Sequence, residues 1–131
     1  YYKKLVKLGW KRGNTEFVSQ LPQNKVFEYM LKAKVHILPS WVETPGLVSL
    51  EAYYAGCNVV VSDKGSVREY FGEEAFYCDP ADKSSILNAV NTAMTTPYSG
   101  KLVSKIETEY TWKFAAEQTF SAYQKIMKQR A

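Results

Sequence analysis

Residues 35–62 read VHILPSWVETPGLVSLEAYYAGCNVVVS, in which two apolar runs flank a segment with helical spacing. The runs VHIL and NVVVS have the continuous apolar character of strands buried on both faces of a parallel sheet. Between them, apolar residues recur at helical spacing from Leu47 until Gly56, a residue type that commonly ends helices. A strand, a helix and a second strand in this order predict a right-handed crossover between parallel strands. The sequence therefore predicts an α/β fold, with helices covering both faces of a Rossmann-like parallel sheet.

The same alternation continues through the rest of the chain. Short β-branched or aromatic runs bounded by turn residues predict two more strands, TEFVSQ (15–20) and AFYC (75–78). Helical periodicity or capping residues predict further helices after Pro22, around Val67 to Phe71, from Asp82 to Thr96-Pro97, across part of 99–110, and from Thr111 to Met127. No linker or repeat interrupts this order, so we expect one domain over residues 1–131.

Composition excludes several classes of function. The chain has 131 residues, of which 46% are hydrophobic and 23% charged, as is ordinary for one globular domain. The net charge of +4 suits an anionic ligand, but the lysines are scattered, so a nucleic-acid partner is not expected. Cys57 and Cys78 have no partners at metal-binding or redox spacing, and His36 stands alone in a strand, where we interpret it as structural.

One loop lies where parallel α/β proteins bind their ligands. Residues 39–46 follow the predicted strand VHIL, and ligands bind beyond the carboxyl ends of such strands. The next helix begins with backbone amides that have no partner inside the helix and that favour an anion. Glu43 precedes this helix start, and Glu51 lies inside the helix, about 6 Å along its axis. Carboxylates flanking an anion suit the diols of a nucleotide sugar. Alternatively, both glutamates simply face water near a helix N-terminus.

A longer stretch carries a resemblance to a known family. Residues 39–82, PSWVETPGLVSLEAYYAGCNVVVSDKGSVREYFGEEAFYCDPAD, resemble the nucleotide-binding half of retaining GT-B glycosyltransferases (glycosyl transferases group 1). Members carry P-S, E-x7-E, L-E-A, a V-V strand, D-x-G-G-x-x-E and D-P in this order. The matching residues are Pro39-Ser40, Glu43, Gly46-Leu47, Leu50-Glu51-Ala52, Gly56, Val59-Val60, Asp63, Gly65, Glu69 and Asp79-Pro80. From about Thr15 to the C-terminal helix the resemblance continues more weakly.

The resemblance implies a site for a nucleotide-diphosphate sugar, here a UDP-, GDP- or ADP-sugar. Glu43 is then the candidate catalytic residue, which positions the donor sugar by its hydroxyls, and Glu51 holds the ribose. The amides of Gly46, Leu47 and Val48 serve the phosphates and the sugar.

The resemblance also implies a reaction and a site for the base. Members transfer the sugar to a glycan or lipid acceptor with retention, without a protein nucleophile and generally without a metal or other cofactor. The turn at Leu21, Pro22 and Gln23 occupies the position that frames the base. In such enzymes polysaccharide biosynthesis is the commonest setting. The resemblance implies a cytoplasmic location, either free or against the inner face of the membrane.

Some residues depart from the family pattern. Thr44-Pro45 replaces the usual glycine–aromatic pair, which removes an amide at Pro45, and Asn58 and Ser66 replace a proline and a glycine. The arginine and lysine that neutralise the leaving diphosphate are not found, and Lys3, Lys4 and Lys7 cannot be assigned that role. We therefore expect a fragment that lacks the first segment of its domain and its partner, the N-terminal acceptor-binding domain, and that is inactive alone.

Two other classes of protein compete with this interpretation, namely an inert module of the same fold and an unrelated α/β domain of the receiver or dinucleotide-binding type. A catalytically inert nucleotide-binding or interaction module of the same fold remains open. A flavodoxin-like receiver needs an acidic cluster at the end of the first strand, where the sequence offers only Gln20. A dinucleotide-binding domain is disfavoured because GxGxxG is absent.

Overall fold

The computed structural model describes residues 2–129. Its elements in chain order are α1 (Tyr2–Arg12), α2 (Gln23–Met30), β1 (Val35–Leu38), α3 (Leu47–Tyr54), β2 (Asn58–Ser62), α4 (Val67–Phe71), β3 (Phe76–Cys78), α5 (Lys83–Thr95), α6 (Val103–Glu109) and α7 (Trp112–Gln129). The strands form a parallel sheet in the order β1-β2-β3, with β2 in the centre. This confirms the predicted α/β class and the strands at VHIL, NVVVS and AFYC.

The central strand organises two cores, one on each face of the sheet. Every residue of β2 is buried, because both faces are covered by helices. Val59 and Val61 join one cluster with residues of α3, α4 and the start of α6. Val60 points to the opposite face and packs with Ala89 and Ala93 of α5. The alternation of side chains along a strand thus explains why a continuous apolar run was needed here.

Side chains bind backbone groups at both ends of α5, and the cap at Asp82 is the one that the sequence predicted. The carboxylate of Asp82 accepts a hydrogen bond from the Ser84 amide at 2.8 Å, so it caps α5. At the other end of α5, Asn58 Nδ2 donates to the carbonyls of Ala93 and Thr96 at 2.8 and 2.7 Å. Asn58 is buried, and a proline there could not make these contacts. The departure from the family pattern at this position therefore has a structural reason.

Hydrogen bonds around Tyr53 connect α3 to the segment after α5 and to Glu74, and this group of contacts is called the Tyr53 clasp below. The Tyr53 hydroxyl donates to Glu74 Oε2 at 2.7 Å, lies 2.9 Å from Ser99 Oγ and accepts from the Leu102 amide at 3.4 Å. Tyr98 donates to the Tyr53 carbonyl at 2.6 Å, and burial raises the pKa of Tyr98 to about 12. Burial alone raises the pKa of Glu74, but the bonds from Ser99 and Tyr53 and the charge of Lys101 lower it overall.

The predicted strand TEFVSQ is wrong. Residues 14–22 have no regular secondary structure, and residues 15–20 are all exposed. A strand requires a hydrogen-bonded neighbour, and this segment packs against α1 instead, where the Phe17 ring lies against Gly9 and edge-on to Tyr2. Helix α1 itself was not predicted.

Two surfaces of the described chain are left without a partner. Among residues 2–129, β1 pairs only with β2, and Ile37 on this edge strand is 44% exposed. The apolar residues of α7 are also exposed, namely Trp112, Phe120, Tyr123, Ile126 and Met127. Within the same residues, no helix combines the length and the apolar character that a membrane span requires.

Candidate functional site

The loop between β1 and α3 ends in a helix start that no side chain caps. Strand β1 ends at Leu38, and α3 begins at Leu47. Gly46, the residue before the helix, has φ 62° and ψ 51°, a left-handed conformation that favours glycine, and no side chain accepts a hydrogen bond from the first turn. The amides at this helix start are therefore oriented outward at the positive end of the helix dipole. Leu47 and Val48 are exposed.

Glu43 lies beside this helix start, as the sequence predicted for a loop residue. Its side chain is half-buried and passes over Gly46, where an added Cβ would lie 3.3 Å from Glu43 Cγ. Gly65, in the loop after β2, packs directly against the Glu43 backbone and has φ +77°. In addition, Ser62 Oγ at the end of β2 donates to the Ser40 carbonyl. Two points on the neighbouring strand and loop thus hold the Glu43 loop in place.

Glu51 lies one turn further along α3 and faces a cavity. Its half-buried carboxylate accepts a hydrogen bond from Gln23 Nε2 at 3.0 Å. Both residues line a cavity of about 590 Å³, whose wall also includes Pro45, Leu47 and Tyr54. The structure therefore brings Glu51, Leu47 and Gln23 together at one cavity, with Glu43, Gly46 and Val48 around the same helix start but outside the cavity wall.

Comparison with known proteins identifies the family of this chain. Residues 1–110 match the family described as "Glycosyl transferases group 1". The chain belongs to this family. Over 116 residues it is 28% identical to a glycogen synthase of Mycobacterium tuberculosis, covering 83% of this chain and 28% of the relative. Over 119 residues it is 29% identical to an alpha-maltose-1-phosphate synthase of Mycolicibacterium smegmatis, covering 81% of this chain and 31% of the relative.

A solved structure supports the fold of this glycosyltransferase chain. Sucrose-phosphate synthase from Thermosynechococcus elongatus superposes with a TM-score of 0.80 at 23% identity, covering 97% of this chain and 34% of that one. The chain thus has the fold of part of a GT-B glycosyltransferase. It spans about a third of the length of the proteins that it matches.

A buried contact between His36 and Ser49 connects β1 to the first turn of α3. His36 Nε2 on β1 lies 3.0 Å from Ser49 Oγ in the first turn of α3, and Ser49 is fully buried. Burial lowers the pKa of His36, so the neutral imidazole is the form that fits this position. This agrees with the structural role that the sequence indicated for His36.

The turn expected to frame the base lies at the start of α2. Pro22 precedes this helix with φ −59° and ψ 148°, and its carbonyl accepts hydrogen bonds from the amides of Lys25 and Val26. Leu21 is half-buried and Pro22 is exposed, whereas Gln23 is engaged with Glu51. Of the three residues, only Gln23 lines the Glu51 cavity.

Sequence reasoning missed two supports of the site. Gly65 was matched to a family motif, but its contact with Glu43 depends on how the loop after β2 approaches the loop after β1. The bond between Gln23 and Glu51 joins residues 28 positions apart. No group of histidine, cysteine or acidic residues suited to hold a metal ion occurs in the part of the chain that the structure describes.

Proposed function

We propose that this chain is the donor-binding part of a retaining glycosyltransferase, which transfers a sugar from a nucleotide-diphosphate sugar to a glycan. The observation that carries the proposal is the uncapped start of α3, with Gly46 in a left-handed conformation and a glutamate on either side. An uncapped helix start attracts phosphate, and the exposed Leu47 and Val48 lie in its first turn. Gly46 itself is buried, because the Glu43 side chain packs against the position of its missing Cβ. The helix start and the two glutamates together describe a diphosphate site flanked by acceptors for hydroxyl groups.

Each residue of the site has one task in this proposal. The amides of Gly46, Leu47 and Val48 bind the phosphates. Glu51 accepts hydrogen bonds from the ribose diol, because its carboxylate faces the cavity one turn into α3. Glu43 accepts hydrogen bonds from the donor sugar on the other side of the helix start. Neither carboxylate acts as a general base, and both fix the donor in the reactive orientation.

The helix start also contributes to the chemical step. When the bond between the anomeric carbon and the diphosphate breaks, negative charge develops on the departing oxygen. Outward-facing amides and the positive end of the α3 dipole stabilise that charge as it forms. In the proposed mechanism the acceptor hydroxyl attacks the anomeric carbon from the face that the diphosphate leaves, and its proton passes to the departing diphosphate oxygen. Bond formation on the same face as bond breaking preserves the anomeric configuration.

The relatives favour a particular setting. Glycogen synthase and alpha-maltose-1-phosphate synthase are named for carbohydrate products, so we propose a glycan acceptor and a role in polysaccharide biosynthesis. Because the chain spans about a third of such relatives, we further propose that a separate acceptor-binding domain completes the enzyme. A cytoplasmic location belongs to the same proposal, since nucleotide sugars are mostly made there.

A titration followed by two-dimensional NMR tests this function on the 131-residue chain. ADP, UDP and GDP are added up to millimolar concentration, followed by their glucose or mannose conjugates, because weak binding near a millimolar is still visible. We expect the largest shifts at residues 46–52, with one base preferred and a tighter complex for the sugar conjugate. A folded spectrum that ignores all these ligands contradicts donor binding and favours an inert module of the same fold.

A further inference from the structure

The bond between Gln23 and Glu51 connects two helices that are already fixed against each other. Gln23 is the first residue of α2, and its Nε2 donates to Glu51 Oε1 on α3 at 3.0 Å. Helices α2 and α3 share a buried cluster of Met30, Ala52 and Cys57, against which Phe27 packs. Both residues of this hydrogen bond thus lie on helices that pack against each other rather than on loops, so the positions of their backbones are fixed relative to one another.

The contact uses only part of the hydrogen-bonding capacity of Glu51. A carboxylate has two oxygens with about four acceptor sites. Gln23 occupies one site on Oε1, so Oε2 remains free to accept from a ligand in the cavity of about 590 Å³ that both residues line. A glutamate on an exposed helix surface otherwise loses side-chain freedom when it binds a ligand. Here much of that ordering is provided before the ligand arrives.

We infer that Gln23 is a positioning residue for Glu51. Its amide holds the carboxylate toward the cavity and leaves a free oxygen that accepts hydrogen bonds from the vicinal hydroxyls of a ribose. The inference rests on the proposed function, because it deepens the role of Glu51 as the ribose contact. This role differs from the base contact that the resemblance implies for residues 21–23, because the amide of Gln23 acts here on Glu51 and not on the ligand.

The structure offers a test substitution and a matched control. Gln23→Met keeps a long unbranched side chain but removes the donor. Gln23→Glu keeps the shape and places a second carboxylate against Glu51. Asn24→Met changes the adjacent exposed residue of α2, which makes no side-chain hydrogen bond among the described residues. Circular dichroism and thermal unfolding verify that all four proteins are equally folded.

The readout compares nucleotides with and without the ribose hydroxyls. ADP, UDP and GDP are each titrated beside their 2′,3′-dideoxy analogues, and the ratio of the two affinities isolates the contribution of the diol. For the preferred base we expect wild type to bind the ribonucleotide about tenfold tighter, as a charge-assisted hydrogen bond allows. Gln23→Met lowers this ratio about threefold or more, Gln23→Glu lowers it further, and Asn24→Met leaves it unchanged.

The outcomes separate this inference from the proposed function. If wild type prefers the ribonucleotide and Gln23→Met keeps the full preference, the positioning role is overturned while the ribose contact of Glu51 stands. If Gln23→Met weakens both nucleotides equally, Gln23 supports the structure only and the inference also fails. Equal affinity of wild type for both nucleotides overturns the ribose assignment of Glu51, whereas binding of neither nucleotide overturns the proposed function.

Discussion

Gly65 lies so close to Glu43 that any side chain on Gly65 would overlap the Glu43 carbonyl oxygen. The glycine also has φ +77°, which other residues adopt only with strain. We predict that Gly65→Ala lowers the free energy of unfolding by about 2–4 kcal/mol, because the strain and the displacement of the Glu43 loop add together. Urea denaturation measures the loss.

Gly13→Ala is the matched control for this substitution. Gly13 has a similar φ of +69°, but an added Cβ there would meet nothing within 4 Å. Its replacement should therefore show the conformational strain alone, about 1–2 kcal/mol. If the two alanine variants lose the same stability, the contact between Gly65 and the Glu43 loop has no energetic importance.

The two glutamates should respond differently to removal. Glu51→Ala is expected to weaken binding of a bare nucleoside diphosphate about tenfold, because the ribose loses a charge-assisted acceptor. Glu43→Ala should leave that affinity unchanged and remove the extra affinity that the donor sugar provides. Titration of each variant with the nucleoside diphosphate and with its sugar conjugate gives both numbers. Equal effects of both substitutions on the bare nucleotide would contradict the assigned roles.

The Tyr53 clasp should contribute strongly to stability. Tyr53→Phe removes a buried hydroxyl that contacts Glu74, Ser99 and the Leu102 amide, so we expect a loss of about 1–3 kcal/mol in the free energy of unfolding. Tyr54→Phe is the control on the same helix, because its hydroxyl makes one exposed hydrogen bond, to Glu107 at 3.2 Å, and should cost less than about 1 kcal/mol. Comparable losses in chemical denaturation would show that the clasp adds nothing beyond a surface contact.

His36 should make stability depend on pH below neutrality. Burial lowers the pKa of His36 from 6.5, so in this range the unfolded chain binds more protons than the folded chain. The stability that depends on a neutral His36 is fully present above pH 6.5 and is lost as the pH falls toward the lowered pKa. The free energy of unfolding then decreases by up to about 1.4 kcal/mol per pH unit. Urea denaturation at pH 7.5 and 5.5 measures it.

His36→Gln provides the control for this pH dependence. His36 is the single histidine of the chain, so the substitution removes the side chain with an ordinary pKa in this interval. The variant should show a flatter profile between pH 7.5 and 5.5, whatever its absolute stability. An unchanged slope would assign the effect to another group.

Local patterns explain what the sequence could predict. The sequence predicts the strand NVVVS from its continuous apolar run and the helix from Leu47 from its helical spacing, because both patterns involve only neighbouring residues. The same holds for the caps at Asp82 and Thr111, where the Phe114 amide donates to Thr111 Oγ1 at 3.2 Å. The position of Glu43 and Glu51 around a helix start followed from those elements and from the family resemblance.

What the sequence could not predict depends on residues far apart in the chain. TEFVSQ has the residue types of a strand, but pairing needs a neighbouring strand that its own residues cannot supply, and Phe17 packs against α1. The contacts of Asn58 with the end of α5 and of Tyr53 with Glu74 become visible only when the helices are packed. Such contacts determine how firmly the site is held rather than where it lies.

The free edge of β1 has a consequence for how this chain behaves at high concentration. Within residues 2–129, its backbone groups on the side away from β2 pair with no other strand, and the exposed Ile37 adds an apolar side chain to that edge. Such edges template strand addition between copies. We therefore expect slow aggregation that grows steeply with concentration, and replacing Ile37 with lysine should delay its onset in light scattering.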